Sequence, residues 1–392
     1  MRRLMIVLLV MLGGGIMGSI SGCASTPSGP TIAPQELFAD HAFAPPSRPV
    51  GSAGLFTLSP EMRAYLNSAN FNAQLRTLGK ERGLVEALYN KGDLKLEYES
   101  TYTRNAAETF RDRVGNCMSL VIMTAAFAKE LGLTVRFQSV DMESWTRSAD
   151  IYLLSGHVNV MLGTDSPSQL LNATMEQVLL VDFIPSPKLD LHRMHALSED
   201  DIVMMFMNNR AAEALVEGRL DDAYWWARAA VATNPHTAMA FNTLGVIYER
   251  HGEKAMAERV YRTALTREPE NLTTLRNLES VLLALGKTEE SQAITRHLAR
   301  LEPVPPFHYF NQGVTAYHNG NFTKARELFQ REVRRAPYND EFHSWLAASN
   351  LKLGRIQEAR EELMLAMDNS TQNETRNRYS AKLSHLRQLG MR

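Results

Sequence analysis

Residues 241–269 read FNTLGVIYERHGEKAMAERVYRTALTREP, and this stretch decides the fold of the C-terminal half of the chain. Gly252 lies near its middle, where glycine suits a tight turn between two helices. The small side chain of Ala257 lets the two helices cross closely, and Pro269 begins the next unit. The glycine and the proline recur at steps of 34 residues, as Gly218, Gly252, Gly286, Gly320 and Gly354 and as Pro235, Pro269, Pro303 and Pro337. A period of this length predicts a solenoid of stacked helix pairs.

The repeated unit resembles the tetratricopeptide repeat (TPR). The residues that carry the resemblance best belong to the second unit and are Phe241, Leu244, Gly245, Tyr248, Ala257, Tyr261, Ala264 and Pro269. We therefore predict an all-α TPR solenoid over residues 198–392, with about five repeats and a closing helix near Glu374 to Leu389.

Solenoids of this type bind other proteins. The resemblance implies a concave groove lined by the first helix of each unit, and it places Phe307, Phe310 and Tyr317 in that groove. These aromatic side chains are candidate anchors for a protein or peptide partner. The closing helix or the preceding domain could equally cover them.

A second informative stretch, residues 113–120, reads RVGNCMSL and precedes a long apolar run. Asn116 is a good N-cap residue, so Cys117 is expected in the first turn of a helix. Unpaired backbone N–H groups and the helix dipole favour negative charge there. Because the thiolate is the reactive form of cysteine, Cys117 is a candidate nucleophile.

Two further stretches supply possible partners for this thiol. Residues 156–162 alternate as in a half-buried strand, with His157 near the start. Asp182 interrupts an apolar run at residues 179–184, where a carboxylate needs a partner to offset its desolvation. Cys117, His157 and Asp182 would supply a nucleophile, its base and the group that orients the base.

These residues resemble the transglutaminase-like superfamily of papain-like cysteine enzymes. The first family motif is matched by Arg113, Gly115 and Cys117, and the later ones are matched by His157 and Asp182. The positions that usually carry an aromatic residue after the histidine and a proline after the aspartate are Asn159 and Phe183 here. The resemblance covers roughly Leu94 to Pro187 and implies a papain-like domain. We predict an α+β domain over residues 56–197, with an antiparallel sheet that starts at 134–140. Residues 141–154 could form a wall of a substrate cleft or a surface excursion, and the second interpretation is preferred.

The N-terminal residues are predicted to be a targeting segment. Arg2 and Arg3 precede an apolar run too short for a membrane span, and residues 20–23 resemble the lipobox of bacterial lipoproteins. We expect residues 1–22 to be a signal peptide and Cys23 to be lipidated, although an ordinary signal cut near Ala24 is an alternative. The position after Cys23 resembles the sorting pattern for the outer membrane, with the protein facing the periplasm. Residues 23–55 are proline-rich and predict a flexible tether.

Composition narrows the remaining possibilities. The 392 residues carry a net charge of −1, which argues against a nucleic-acid partner. Of the two cysteines, lipidation would consume Cys23, so Cys117 would be left without a disulfide partner. The sequence contains no zinc pattern and no phosphate loop, so we expect neither a metal nor another cofactor.

The sequence therefore predicts a membrane-anchored periplasmic thiol enzyme. In this interpretation Cys117, activated by His157, attacks amide bonds as a peptidase or amidase, and the repeats recruit a protein partner or substrate. Two alternatives stay open. The first is a non-catalytic TPR adaptor for envelope proteins, and the second is a transglutaminase that crosslinks proteins.

Overall fold

The computed structural model describes residues 34–89, 94, 96–148, 151–163, 179–181, 194–370 and 372–389. The helices of its first half are α1 Pro60–Leu66, α2 Ala69–Leu78, α3 Lys80–Tyr89, α4 Ala106–Asp112 and α5 Cys117–Glu130. The strands are β1 Glu97–Tyr98, β2 Val114–Gly115, β3 Thr134–Ser148, β4 Ile151–Gly163, β5 Leu179–Val181 and β6 Met194–Leu197. We call the described residues from 55 to 197 the lobe.

Helix α5 is the centre of the lobe. Every residue from Met118 to Ala128 is buried, as expected for a helix that is apolar on all sides. The helix packs on β3 and β4, which belong to a four-stranded sheet of order β5-β4-β3-β6. The pairs within this sheet are antiparallel, and the short strands β1 and β2 pair in parallel elsewhere in the lobe.

The described residues of the stretch 141–154, interpreted above as a surface excursion, belong to two strands. Strand β3 continues to Ser148 and β4 begins at Ile151, so the two strands form one long hairpin with a register shift between Val140 and Ser144. Backbone pairing between the two strands outweighs the mixed polar character of this segment, because each paired residue satisfies its own hydrogen-bonding groups.

The second half is a TPR-like, all-α solenoid of paired helices. The pairs are α6 Glu199–Val216 with α7 Leu220–Thr233, α8 Ala238–His251 with α9 Lys254–Leu265, α10 Leu272–Ala284 with α11 Thr288–Leu301, α12 His308–His318 with α13 Phe322–Arg335, and α14 Asp340–Lys352 with α15 Ile356–Asn369. The second pair shows why the motif requires a small residue. A Cβ on Gly245 would lie 2.3 Å from the ring of Tyr261, so only glycine allows this crossing.

Helix α16, Asn373–Leu389, packs on the end of the solenoid. Its buried residues Tyr379, Leu383 and Leu386 form one cluster with Ala359 and Leu363 of α15. Tyr379 also donates a hydrogen bond of 3.1 Å to Asp340 at the start of α14. The apolar face of the last repeat is therefore covered by this helix.

The prediction that residues 23–55 are a flexible tether is wrong for the part that the structure describes. Two 3-10 turns, Pro34–Leu37 and Asp40–Ala42, lie against the first two repeats, and Leu37 and Phe43 are buried there. Composition suggested a segment too poor in apolar residues to order itself. The repeats nevertheless supply the apolar partners and the hydrogen bonds that the segment lacks.

Among the helices that the structure describes, none combines the length and the apolar character that crossing a bilayer requires.

Candidate functional site

The turn before Cys117 is built by the residues of the predicted motif. Arg113 ends α4 in the left-handed conformation at φ 58°, and its guanidinium group stacks 3.9 Å from the centre of the Phe110 ring. Gly115 follows, where a Cβ would lie 2.7 Å from the Cβ of Ser119. The arginine and the glycine of the motif are thus explained by local geometry.

Asn116 caps α5 as predicted. Its side-chain oxygen accepts a hydrogen bond of 2.9 Å from the backbone N–H of Ser119, and Cys117 is the first residue of the helix. Cys117 is half-buried and packs against the core, whereas the next eleven residues are buried. The structure therefore places a half-buried cysteine at the N-terminus of a buried helix.

His157 lies on β4 and pairs across the sheet with Val140. It is buried, and the alternation of the strand places it on the face opposite to Val158 and Val160, which belong to the core around α5. Asp182 lies outside the described residues, as does the predicted lipidation residue Cys23. Of the three proposed catalytic residues, the structure thus describes Cys117 and His157, and the strand alternation places His157 on the sheet face away from the core around α5, the helix that begins at Cys117.

A buried set of hydrogen bonds joins the Cys117 turn to the first repeat. The hydroxyl oxygen of Thr103 accepts from the amide of Asn116 at 2.8 Å and from the amide of Asn209 on α6 at 3.2 Å. The backbone N–H of Thr103 donates to Glu213 of α6 at 2.6 Å, and its carbonyl accepts from Arg210 at 3.3 Å. We call these five residues the joint. The sequence carries no sign of it, because its two sides are about a hundred residues apart.

Glu213 is the titratable group of the joint with the largest shift. Burial raises the pKa of its carboxyl group to about 7, although Arg210 at 3.0 Å and the hydrogen bond from Thr103 act in the opposite direction. Glu217, the C-cap residue of the same helix, is exposed and bound by Arg219, and its pKa is lowered. The joint therefore holds a carboxyl group that titrates near neutrality.

Two of the three candidate partner anchors are part of the core, which corrects the prediction. Phe307 and Phe310 are buried and pack on Phe342 of the next repeat, with ring centres 5.2 and 5.1 Å apart respectively. Neither the closing helix nor the lobe covers them, because the rings fill the space between the fourth and fifth repeats. Tyr317 remains partly exposed beside Trp345.

Exposed apolar residues occur at the positions equivalent to Tyr317. Leu283 is 60% exposed and Leu351 is 40% exposed, each one 34-residue step from Tyr317. All three lie in the last turn of the first helix of their repeat. Equivalent positions of stacked repeats follow one line along a solenoid, so these side chains form a row. The repeat period, counted from Tyr317 in both directions, is the sequence signal that could have revealed this row.

Comparison with known proteins supports the repeats. Family models of the tetratricopeptide repeat match residues 239–271, 280–340 and 310–374. This chain carries tetratricopeptide repeats. Tetratricopeptide repeat protein 7A of Homo sapiens is 32% identical over 109 residues, an alignment that covers 26% of this chain and 12% of the human protein. The chain thus spans about an eighth of that relative.

Several solved structures are also similar. A thermophilic TPR protein of Thermus thermophilus shares 21% identity, with 46% of this chain and 98% of that chain covered at a TM-score of 0.28. PilF of Pseudomonas aeruginosa shares 20% identity, with 48% and 94% covered and a TM-score of 0.27.

Proposed function

We propose that this protein is an adaptor whose tetratricopeptide repeats bind a segment of another protein. The observation that carries the proposal is the TPR solenoid itself, since stacked helix pairs offer an extended surface suited to protein binding. In the adaptor, the lobe serves as a structural partner of the first repeat.

The row formed by Leu283, Tyr317 and Leu351 is the proposed contact surface. Large apolar side chains that stay exposed at equivalent positions of successive repeats suit an elongated apolar partner. Asn277 on α10 donates a hydrogen bond of 2.9 Å to Asn242 on α8, which links the first helices of the second and third repeats.

Photocrosslinking in the native host tests this surface. Benzoylphenylalanine at position 283 is expected to give discrete protein adducts, and the change Leu351→Asp in the same chain should remove most of them. The matched control is Leu365→Asp, because Leu365 is 45% exposed on α15 and lies outside the row. Adducts that survive Leu351→Asp, or that Leu365→Asp removes equally, would contradict the proposed surface.

A second candidate function is thiol chemistry at Cys117. It is favoured by one observation, a half-buried cysteine as the first residue of α5, at the capped N-terminus of that helix. The reaction would be hydrolysis of an amide by a peptidase or amidase, with His157 as base and Asp182 as orienting group, and it requires His157 to reach the sulfur from the opposite sheet face. Attack of a lysine amine on the same acyl-enzyme would give a crosslink instead.

Alkylation of Cys117 by iodoacetamide, followed by mass spectrometry of the labelled peptide, separates the two functions. An ion pair between Cys117 and His157 should give rapid labelling near pH 6 that is lost in His157→Ala. Labelling that appears only above about pH 8 in both proteins would favour the adaptor. A labelled primary amine incorporated into periplasmic proteins would indicate crosslinking.

We also propose that the protein is anchored to the outer membrane by a lipid on Cys23 and faces the periplasm. The support is the resemblance of residues 20–23 to a lipobox. Metabolic labelling with an alkyne fatty acid should mark the wild-type protein and not Cys23→Ser. Equal labelling of both proteins would refute the anchor.

A further inference from the structure

Residues Leu37 to Ser47, which we call the strap, lie along the first two repeats in an irregular conformation. They contact α7 through Asp221, Asp222, Tyr224, Trp225 and Arg228 and contact α8 through Tyr248 and His251. The first 3-10 turn also approaches α9. These contacts form a surface apart from the row of exposed apolar residues.

Side chains of the repeats bind the backbone of the strap. The hydroxyl group of Tyr248 donates to the carbonyl of Leu37 at 2.7 Å and accepts from the N–H of Ala39 at 2.9 Å. Asp221 accepts from the N–H of Ala44 at 2.9 Å. Further along, the indole of Trp225 donates to the carbonyl of Ala44 at 2.7 Å, and Asp222 accepts from the N–H of Ser47 at 2.7 Å. Recognition of this kind depends on the backbone of the bound segment and tolerates different side chains.

The repeats also recognise two side chains of the strap, Phe43 and Asp40. The ring of Phe43 stacks on Tyr224, with ring centres 3.9 Å apart and an interplanar angle of 2°, and it also contacts His251 at 4.3 Å and Tyr248 at 5.9 Å. The carboxylate of Asp40 accepts from the hydroxyl of Tyr224 at 2.6 Å and from Arg228 at 2.8 Å. An acidic residue three positions before an aromatic one thus fits complementary charge and a stacking platform.

We propose that this surface of α7 and α8 is a peptide-binding site and that the strap is its resident ligand. A partner segment with an acidic residue three positions before an aromatic residue, followed by small residues and proline, binds there in competition with the strap. The inference rests on the proposed function, in which the repeats bind protein segments, and it names the chemistry of one such segment. Because the strap is tethered, its high effective concentration keeps weak competitors out.

A peptide of residues 35–48, labelled at its N-terminus, tests the proposal by fluorescence anisotropy. The host is the full chain with Asp40→Ala and Phe43→Ala, changes that weaken the resident strap. The peptide is expected to bind this host at least about tenfold more tightly than the wild-type chain. Peptides with Phe43→Ala or with a scrambled order serve as controls and should bind much more weakly. Should the double variant fail to fold, Asp40→Asn alone weakens the strap at a partly exposed residue.

Two outcomes would overturn the proposal. Binding of the peptide to a folded strap variant no tighter than to the wild-type chain would show that peptide and strap do not compete. An absence of binding to a folded variant would show that the strap is a permanent part of the fold. Trp225→Phe in the host adds a check, since loss of the N–H that binds Ala44 should weaken a peptide seated on this surface. Photocrosslinking at position 283 tests the row of Leu283, Tyr317 and Leu351. A negative result of the peptide-binding experiment would therefore not contradict the adaptor proposal.

Discussion

Asn159 is a buried polar side chain with no hydrogen-bond partner among the residues that the structure describes. Its residue is fully buried on β4, and both its amide nitrogen and its amide oxygen lack partners in the described structure. Unpaired buried polar groups cost free energy, because they lose their bonds to water without replacement.

We therefore expect Asn159→Leu to raise the free energy of unfolding of the lobe by about 1 kcal/mol. Urea denaturation followed by intrinsic fluorescence measures the change. The matched control is Asn350→Leu, because the buried amide oxygen of Asn350 accepts a hydrogen bond of 2.9 Å from Arg326. That variant should be destabilised, and destabilisation of Asn159→Leu as well would contradict the explanation.

The turn before Cys117 leaves no room for a side chain at Gly115. In Gly115→Ala the new Cβ would meet Ser119 at 2.7 Å and Thr109 at 3.2 Å, so α4 and α5 must separate. We expect a loss of roughly 1–3 kcal/mol in the free energy of unfolding, as for other overpacked cores. Gly163→Ala, with no atom within 4 Å of the new Cβ, is the control and should be nearly neutral. Equal unfolding midpoints for the two variants would argue against this packing.

Within the last repeat, His343 links α14 to α15. Its ring nitrogens lie 2.6 Å from a carboxylate oxygen of Glu362 and 2.9 Å from the carbonyl of Pro337, both acceptors. Burial lowers the pKa of His343, but the hydrogen bonds to Glu362 and Pro337 and the nearby charges of Glu362 and Asp340 outweigh it, so the pKa is raised overall. The charged imidazolium is thus the form that the repeat binds best.

The sign of the pH effect follows from this raised pKa. The stabilisation by His343 is complete below its unfolded pKa of 6.5 and is lost as the pH rises through the higher folded value. We expect the melting temperature of the repeats to fall with rising pH across this window, and His343→Gln to abolish that part of the dependence. His236→Gln, at an exposed position, is the control. A pH profile unchanged in His343→Gln would contradict the assignment.

The motifs of individual elements were largely predictable. The cap at Asn116, the start of α5 and the turn glycines follow from local rules, because each depends on residues within one or two helical turns. The burial of Phe307 and Phe310 could not be predicted in this way, because whether they line the groove or join the core depends on how the next repeat packs. Packing against Phe342 buries apolar surface of both phenylalanines, whereas exposure in a groove would leave that surface in water.

For the molecule as a whole, Glu213 makes the contact between lobe and repeats pH-sensitive. Its ionised form is disfavoured where it lies buried against Thr103, with Arg210, Glu217, Tyr102 and Arg219 as the charged or titratable groups nearby. Because its pKa is raised, the contribution of Glu213 to the free energy of unfolding is most favourable below the ordinary pKa of 4.5 and is lost as the pH rises through about 7.

Replacement of Glu213 by glutamine tests this dependence. The amide resembles the protonated acid. The free energy of unfolding of Glu213→Gln should therefore rise relative to that of the wild type between pH 5 and pH 8, by up to roughly 3 kcal/mol. Thermal unfolding of both proteins at several pH values measures this difference. Glu217→Gln should behave oppositely, because its pKa is lowered by Arg219 despite partial desolvation. A gap for Glu213→Gln that is independent of pH would contradict a buried, titrating carboxyl group.

The sequence by itself determined the repeated helix pairs, the helix that begins at Cys117 and the residue types of both motifs. Each of these depends on neighbours along the chain or on a regular 34-residue period. Only the tertiary structure decided that the strap lies on the first two repeats, that Thr103 joins the lobe to α6 and that Phe307 and Phe310 are core. These contacts link residues far apart in sequence, such as Ala39 with Tyr248, and their energies depend on packing that no local pattern encodes.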